Sequence, residues 1–143
     1  MSPGQVDRAL VLRHLQSLEA GVRELEPYRG TSADELRRGP LLAWGVEHGL
    51  QLCAQNVLDI ATHLAAAAGR STDEYRSSIE RLAEIGVLPG AFAASLGRLA
   101  GFRNILVHGY LDVDLEKVAQ HLRDELDDFR AFAQHVEAYL ARC

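Results

Sequence analysis

Cysteine, proline, aromatic residues and positive charge are all scarce in this chain, and each scarcity narrows what it can be. Two cysteines occur in 143 residues, Cys53 inside a helical pattern and Cys143 at the C-terminus. They form neither a CxxC pair nor a Cys/His ligand spacing, so neither a disulfide framework nor a zinc site is suggested. Four prolines and 6% aromatic residues, with the apolar mass mostly in Leu, Ala and Val, favour helices over a sheet. No apolar run approaches the ~20 residues of a membrane span. The segment from Met1 to Asp7 lacks the basic start and apolar core of a secretory signal, so a cytoplasmic protein without membrane association is expected. Fifteen Lys and Arg face twenty Asp and Glu, a net charge of -5. That counts against a generic basic surface coating nucleic acid and leaves room for a local cationic site.

What is present is helical periodicity, 48% hydrophobic residues and 24% charged residues, the profile of one globular domain over residues 1–143. Ser2-Pro3-Gly4-Gln5 reads as a helix start, followed by Leu15, Leu18, Val22 and Leu25 at spacings of three and four until Pro27 and Gly30. This predicts a first helix over about residues 4–26. Ser32-Ala33-Asp34-Glu35 offers a capping box. Gly39-Pro40 then either kinks the second helix or marks its proper start. From Leu41 to Ala68 the apolar positions Leu42, Val46, Leu50, Cys53, Val57, Ile60 and Leu64 recur each turn, and Gly69 ends the run. Ser71-Thr72-Asp73-Glu74 caps a short helix carrying Tyr75, Ile79, Leu82 and Ile85, closed by Gly86 and Pro89-Gly90. A further helix is predicted over 91–107 through Phe92, Leu96, Leu99, Phe102 and Leu106. After a turn at Asp112-Val113-Asp114, a last helix carries Leu115, Val118, Leu122, Phe129, Phe132, Val136 and Leu140. The fold class is all-α: an up-and-down four-helix bundle with one additional short helix.

The polar residues must carry any chemistry. Of six histidines, His14, His48, His63, His121 and His135 lie in helical stretches without a carboxylate or second histidine at a metal-ligand spacing, and read as surface or satisfied interior groups. No HExxH, glycine-rich phosphate loop or nucleophile elbow occurs, and no metal or cofactor is expected. Gly97 and Gly101 read as sites of close helix approach or bending.

The exception is Arg103-Asn104-Ile105-Leu106-Val107-His108-Gly109-Tyr110. On a helix Asn104 and His108 lie one turn apart on one face, so Asn104 can hydrogen-bond the imidazole and fix its tautomer. Arg103 flanks that face, about 140° round, with a side chain long enough to reach it. The last-turn carbonyls favour the imidazolium of His108 against the field of Arg103. An imidazole that gives and takes protons beside a guanidinium able to clamp a phosphate is a minimal kit for cleaving a phosphodiester. The RNA 2′-hydroxyl supplies the nucleophile, so the reaction asks for no metal. Spacing alone equally fits Arg and His as stabilisers of a helix C-terminus.

The form R-N-x-x-x-H-x-Y, with LCAQNVLDIATHLA, YRSSIERLAEIGVLP and LGRLAGFRNILVHGYLDVD in that order and a final amphipathic helix, resembles the HEPN superfamily. The likeness is to its HepT-like branch, the ribonuclease toxins of HepT/MntA toxin–antitoxin systems, and it covers nearly the whole chain. The resemblance implies Arg103 and His108 as the catalytic pair and Asn104 as a supporting polar residue. It also implies a homodimer, or pairs of such dimers, with two motifs facing across a cleft. The substrate would be tRNA or mRNA. A nucleotidyltransferase antitoxin would restrain the toxin by adding AMP to Tyr110, placing a charged adduct two residues from His108. Asp59, on an otherwise apolar face, either turns to the cleft as a partner for Arg103 or His108 or is a solvent-facing helix residue; Gln55 and Asn56 are weaker candidates. Arg37, Arg38 and Arg98 could widen the positive patch. The competing reading is a non-catalytic helical module that binds a nucleotide or serves as the interaction partner of a nucleotidyltransferase; a plain interaction bundle with Arg and His as helix-end stabilisers is a third.

Overall fold

The computed structural model describes residues 5–70, 75–98 and 113–142, with side chains detailed from residue 77 in the second of these stretches. Among them all regular structure is helical: α1 Arg8–Leu25, a 3-10 turn Glu26–Tyr28, α2 Ala33–Arg38, α3 Pro40–Ala67, α4 Tyr75–Glu84, α5 Gly90–Leu96 and α6 Leu115–Arg142. The long helices α1, α3 and α6 pack on one another. Helix α4 lies against α3 and α5, and α2 bridges the beginnings of α3 and α6.

The apolar spacing dictates this packing. Val11, Leu15, Leu18, Val22 and Leu25 of α1 are buried at alternating steps of four and three, against Val46, Leu50, Cys53, Val57, Ile60 and Leu64 of α3. Helix α6 contributes Val118, Leu122, Leu126, Phe129, Phe132, Val136 and Leu140. Each fully buried Leu, Val or Phe contributes about 1.5–3 kcal/mol relative to exposure, so this shared core is what holds the bundle together. Among the described residues no helix is long and apolar enough to cross a membrane.

The ends follow local chemistry, with two departures from expectation. The first helix starts at Arg8, not near residue 4. Asp7 caps it, its side chain accepting from the Leu10 amide at 3.1 Å. The Asp7 amide itself donates to Nε2 of His63 on α3 at 3.0 Å, so the start is fixed by a partner far along the chain. Second, Gly39-Pro40 separates two helices. Ser32 and Glu35 form the full capping box of α2, and Pro40 then opens α3 as its first residue, where its missing N–H costs nothing. Gly69 at φ 74° and Gly86 at φ 82° close α3 and α4. In each case the amide that follows the glycine bonds back, Arg70 to the Ala65 carbonyl at 2.7 Å and Val87 to that of Leu82 at 2.8 Å. This terminating pattern needs the left-handed residue that glycine supplies. Of the helix expected over 91–107, residues Gly90–Leu96 are helical and Gly97–Arg98 form a turn; Leu99–Val107 lie outside the described residues.

Candidate functional site

Two described elements bracket the Arg103–Tyr110 motif. On the entering side, Ala93 and Leu96 of α5 are buried, and the Phe92 ring meets His135 of α6 with centroids 5.4 Å apart. Arg98 closes this element. Its Nε donates to the Ser95 carbonyl at 3.2 Å and its Nη2 to Ser95 Oγ at 3.1 Å, while its charge acts on Asp128 of α6. On the leaving side, half-buried Val113 packs against the core and Asp114 caps α6, Oδ1 accepting from the amides of Glu116 at 3.1 Å and Lys117 at 3.3 Å. The flanks therefore stand beside α6 at Asp128 and immediately before Leu115. At 1.5 Å per residue that is roughly 20 Å of helix.

Between those points α6 carries a half-buried polar row. His121 Nδ1 lies 3.3 Å from Oε1 of Glu125, and Asp128 follows one turn on. Burial first, and then the neighbouring Glu125 carboxylate, push the Asp128 carboxyl above the usual range, with Arg98 opposing the shift. His121 therefore does have a carboxylate at i+4, contrary to the expectation from sequence. The H-x-x-x-E spacing was the signal that would have found it.

The predicted site residues fare differently. Arg103, Asn104, His108 and Tyr110 lie outside the described residues. Asp59 is half-buried on α3, and Oδ1 accepts from Gln55 Nε2 at 2.7 Å. Asn56, one residue from Gln55, turns the other way. It is buried and joins His14 and Ser17 of α1, each at 2.9 Å, which makes it part of the α1–α3 interface. Arg37 does not project as a free cation either, since it pairs with Asp34 and with Glu116, the latter at 3.1 Å. Arg38 is exposed. Arg29 makes a two-pronged bond to Asp127, at 3.1 and 2.7 Å. Arg29 and Arg37 are thus already matched to carboxylates. Cys53 is buried, and burial pushes its thiol up to about 12, so it is no nucleophile at neutral pH.

Comparison with known proteins decides the family. The family model described as Ribonuclease HepT-like matches residues 18–136. The chain belongs to this HepT-like family. A putative RNase of Archaeoglobus fulgidus is 28% identical over 130 residues, covering 91% of this chain and 95% of the relative. The mRNA nuclease HepT of Shewanella oneidensis is 22% identical, with 90% and 97% covered. In three dimensions the HepT-like chain is similar to the tri-AMPylated HEPN toxin of Shewanella oneidensis, solved in complex with its MNT antitoxin. The TM-score is 0.79 at 22% identity, over 90% of this chain and 96% of the toxin. The all-helical fold expected from the sequence is thus the fold of HEPN toxins.

Proposed function

We propose that the chain is a single-domain, cytoplasmic, metal-independent endoribonuclease toxin. It cleaves cellular RNA, tRNA or mRNA, and is held in check by a nucleotidyltransferase antitoxin. The observation that carries this reading is the family match over residues 18–136 together with an intact R-N-x-x-x-H-x-Y motif at Arg103–Tyr110. The names of the relatives and the AMPylated toxin–antitoxin neighbour support it.

In this reading Arg103 clamps the scissile phosphate with paired hydrogen bonds and stabilises the charge that builds on it. His108 passes protons, taking one from the 2′-hydroxyl or giving one to the departing 5′-oxygen. The 2′-oxygen bonds to phosphorus, the bond to the 5′-oxygen breaks, and a 2′,3′-cyclic phosphate and a 5′-hydroxyl remain. Asn104 holds the imidazole tautomer, and Asp59 supports the cation from α3. Two protomers complete the cleft, so that the motifs act as a composite site. AMP on Tyr110 blocks the RNA path and repels its phosphates.

The test is growth on expression without the antitoxin. Arrest by the parent, relieved by Arg103→Ala and by His108→Ala at equal expression, is expected; a parent that leaves growth untouched overturns the reading. The second reading, a non-catalytic partner of a nucleotidyltransferase, draws support from the net charge of -5 and the carboxylate-paired arginines. RNA bound but never cut would favour it.

A further inference from the structure

Trp44 is the chain's one tryptophan, and it stands 64% exposed on α3, apart from the hydrophobic core. It borders a hollow of ≈ 300 Å³ between α2, α3 and the start of α6, lined also by Arg37, Glu47, Val113 and Leu115. That is the lower end of the ~300–1,000 Å³ range of small-ligand sites. Glu47, one turn on from Trp44, is half-buried. Burial pushes its carboxyl above the usual range, and no cation among the described residues acts against that shift. Arg37 lines the same hollow but is already paired with Asp34 and Glu116. Both Glu47 oxygens are therefore available as acceptors for an outside donor.

The hollow connects with the proposed reaction site along two routes. Glu47 begins a row of half-buried polar residues at steps of four, Glu47, Gln51, Gln55 and Asp59. The row runs about 18 Å along α3 and ends on the hydrogen bond of Gln55 to Asp59. Helix α3 has no Lys or Arg, so the row suits the edges of bases and not phosphates. On the other wall, Val113 follows His108 by five residues. A chain spans at most ~3.6 Å per residue, which keeps His108 within about 18 Å of the hollow.

We propose that the hollow at Trp44 holds one unpaired guanine of the RNA substrate and so biases where the RNA is cut. This deepens the ribonuclease reading, on which it rests. Trp44 stacks on the base, as aromatic side chains do in reading single-stranded RNA, and Glu47 accepts hydrogen bonds from its edge. Guanine offers N1–H and the N2 amino group side by side, two parallel donors for the two oxygens of one carboxylate. Adenine and cytosine present one amino group beside a ring nitrogen that accepts. Uracil presents one N–H between two carbonyls, which a carboxylate repels.

Tryptophan fluorescence reports on this hollow directly, because Trp44 is its one source. The full chain carrying His108→Ala, in which cleavage is blocked, is titrated with the hexanucleotide RNAs UUUUUU and UUGUUU. Quenching is expected at least ~5-fold tighter for the guanine-bearing RNA. Glu47→Gln, with helicity matching the parent by circular dichroism, should bring the two RNAs to near equality. No quenching, quenching without preference, or a preference that survives Glu47→Gln overturns the proposal. Quenching by an arginine-rich peptide and not by RNA also overturns it and makes the hollow a protein contact. Cleavage by the parent without quenching removes this subsite and leaves the ribonuclease. Guanine-dependent quenching in a chain whose parent cuts no RNA does the reverse.

Discussion

Asn56 on α3 and His14 on α1 face one another across the contact of the two helices, imidazole Nδ1 to amide Oδ1 at 2.9 Å. The amide nitrogen of Asn56 donates to Ser17 Oγ at the same distance, so its oxygen must accept, and His14 carries its hydrogen on Nδ1. Asn56 is 6% exposed. Replacing it by leucine takes this partner from His14 and Ser17, both half-buried, and an unmet group costs up to about 1–3 kcal/mol when water cannot reach it. Chemical denaturation should show Asn56→Leu destabilised by roughly that amount. A variant as stable as the parent would mean that water takes over the network at no cost.

The close approach of α1 and α3 predicts an ordering among glycine variants. Gly21→Ala pushes a methyl onto Cys53 and Gly49→Ala onto Leu25, and such overpacking costs about 1–3 kcal/mol. Both should unfold at lower denaturant than the parent. Gly21 should suffer more, because Cys53 is wholly buried with little room to give. Equal stability of all three proteins would show that the helices can slide apart freely.

The sequence made much of this bundle visible and hid the rest for definable reasons. The turn-by-turn apolar spacing marked α1, α3 and α6, the Ser32–Glu35 box marked α2, and Gly69 and Gly86 marked the stops, because all of these are local. The true start of α1 was not visible, since the Asp7 amide is held by His63, 56 residues away. Gln55, Asn56 and Asp59 looked alike in sequence, yet Asn56 belongs to the α1 contact while Gln55 and Asp59 pair with each other. Only the packing of α1 distinguishes them. The motif itself was legible as an Arg–Asn–His pattern at spacings that suit a helix end. Its meaning came from family likeness, because an Arg and a His at such a position have an innocent explanation in the helix dipole.

Asp128 gives a pH prediction whose sign is fixed. Burial and Glu125 raise its carboxyl above the ordinary range, so the folded chain holds this proton more tightly than the unfolded chain. The proton's stabilising effect is complete below the unfolded value of about 4 and is lost as pH rises through the folded one. Asp128→Asn removes the charge that burial disfavours. The variant's melting temperature relative to the parent should therefore climb between acid and neutral pH. A constant difference across that range would rule out a buried, raised carboxyl at this position.

Control at Tyr110 is open to mass spectrometry. Co-expression with the cognate nucleotidyltransferase should add AMP to the peptide carrying Tyr110 and end growth arrest, and Tyr110→Phe should accept none. Neutralisation of the parent without added mass would point to inhibition by complex formation alone.

The most direct measurement is cleavage of total cellular RNA by the purified chain in the presence of a metal chelator. Discrete fragments ending in 2′,3′-cyclic phosphate are expected. They should be lost in Arg103→Ala and His108→Ala, whose helicity and dimerisation match the parent. Intact RNA with the parent, or cleavage that persists in both variants, would contradict a ribonuclease built on Arg103 and His108.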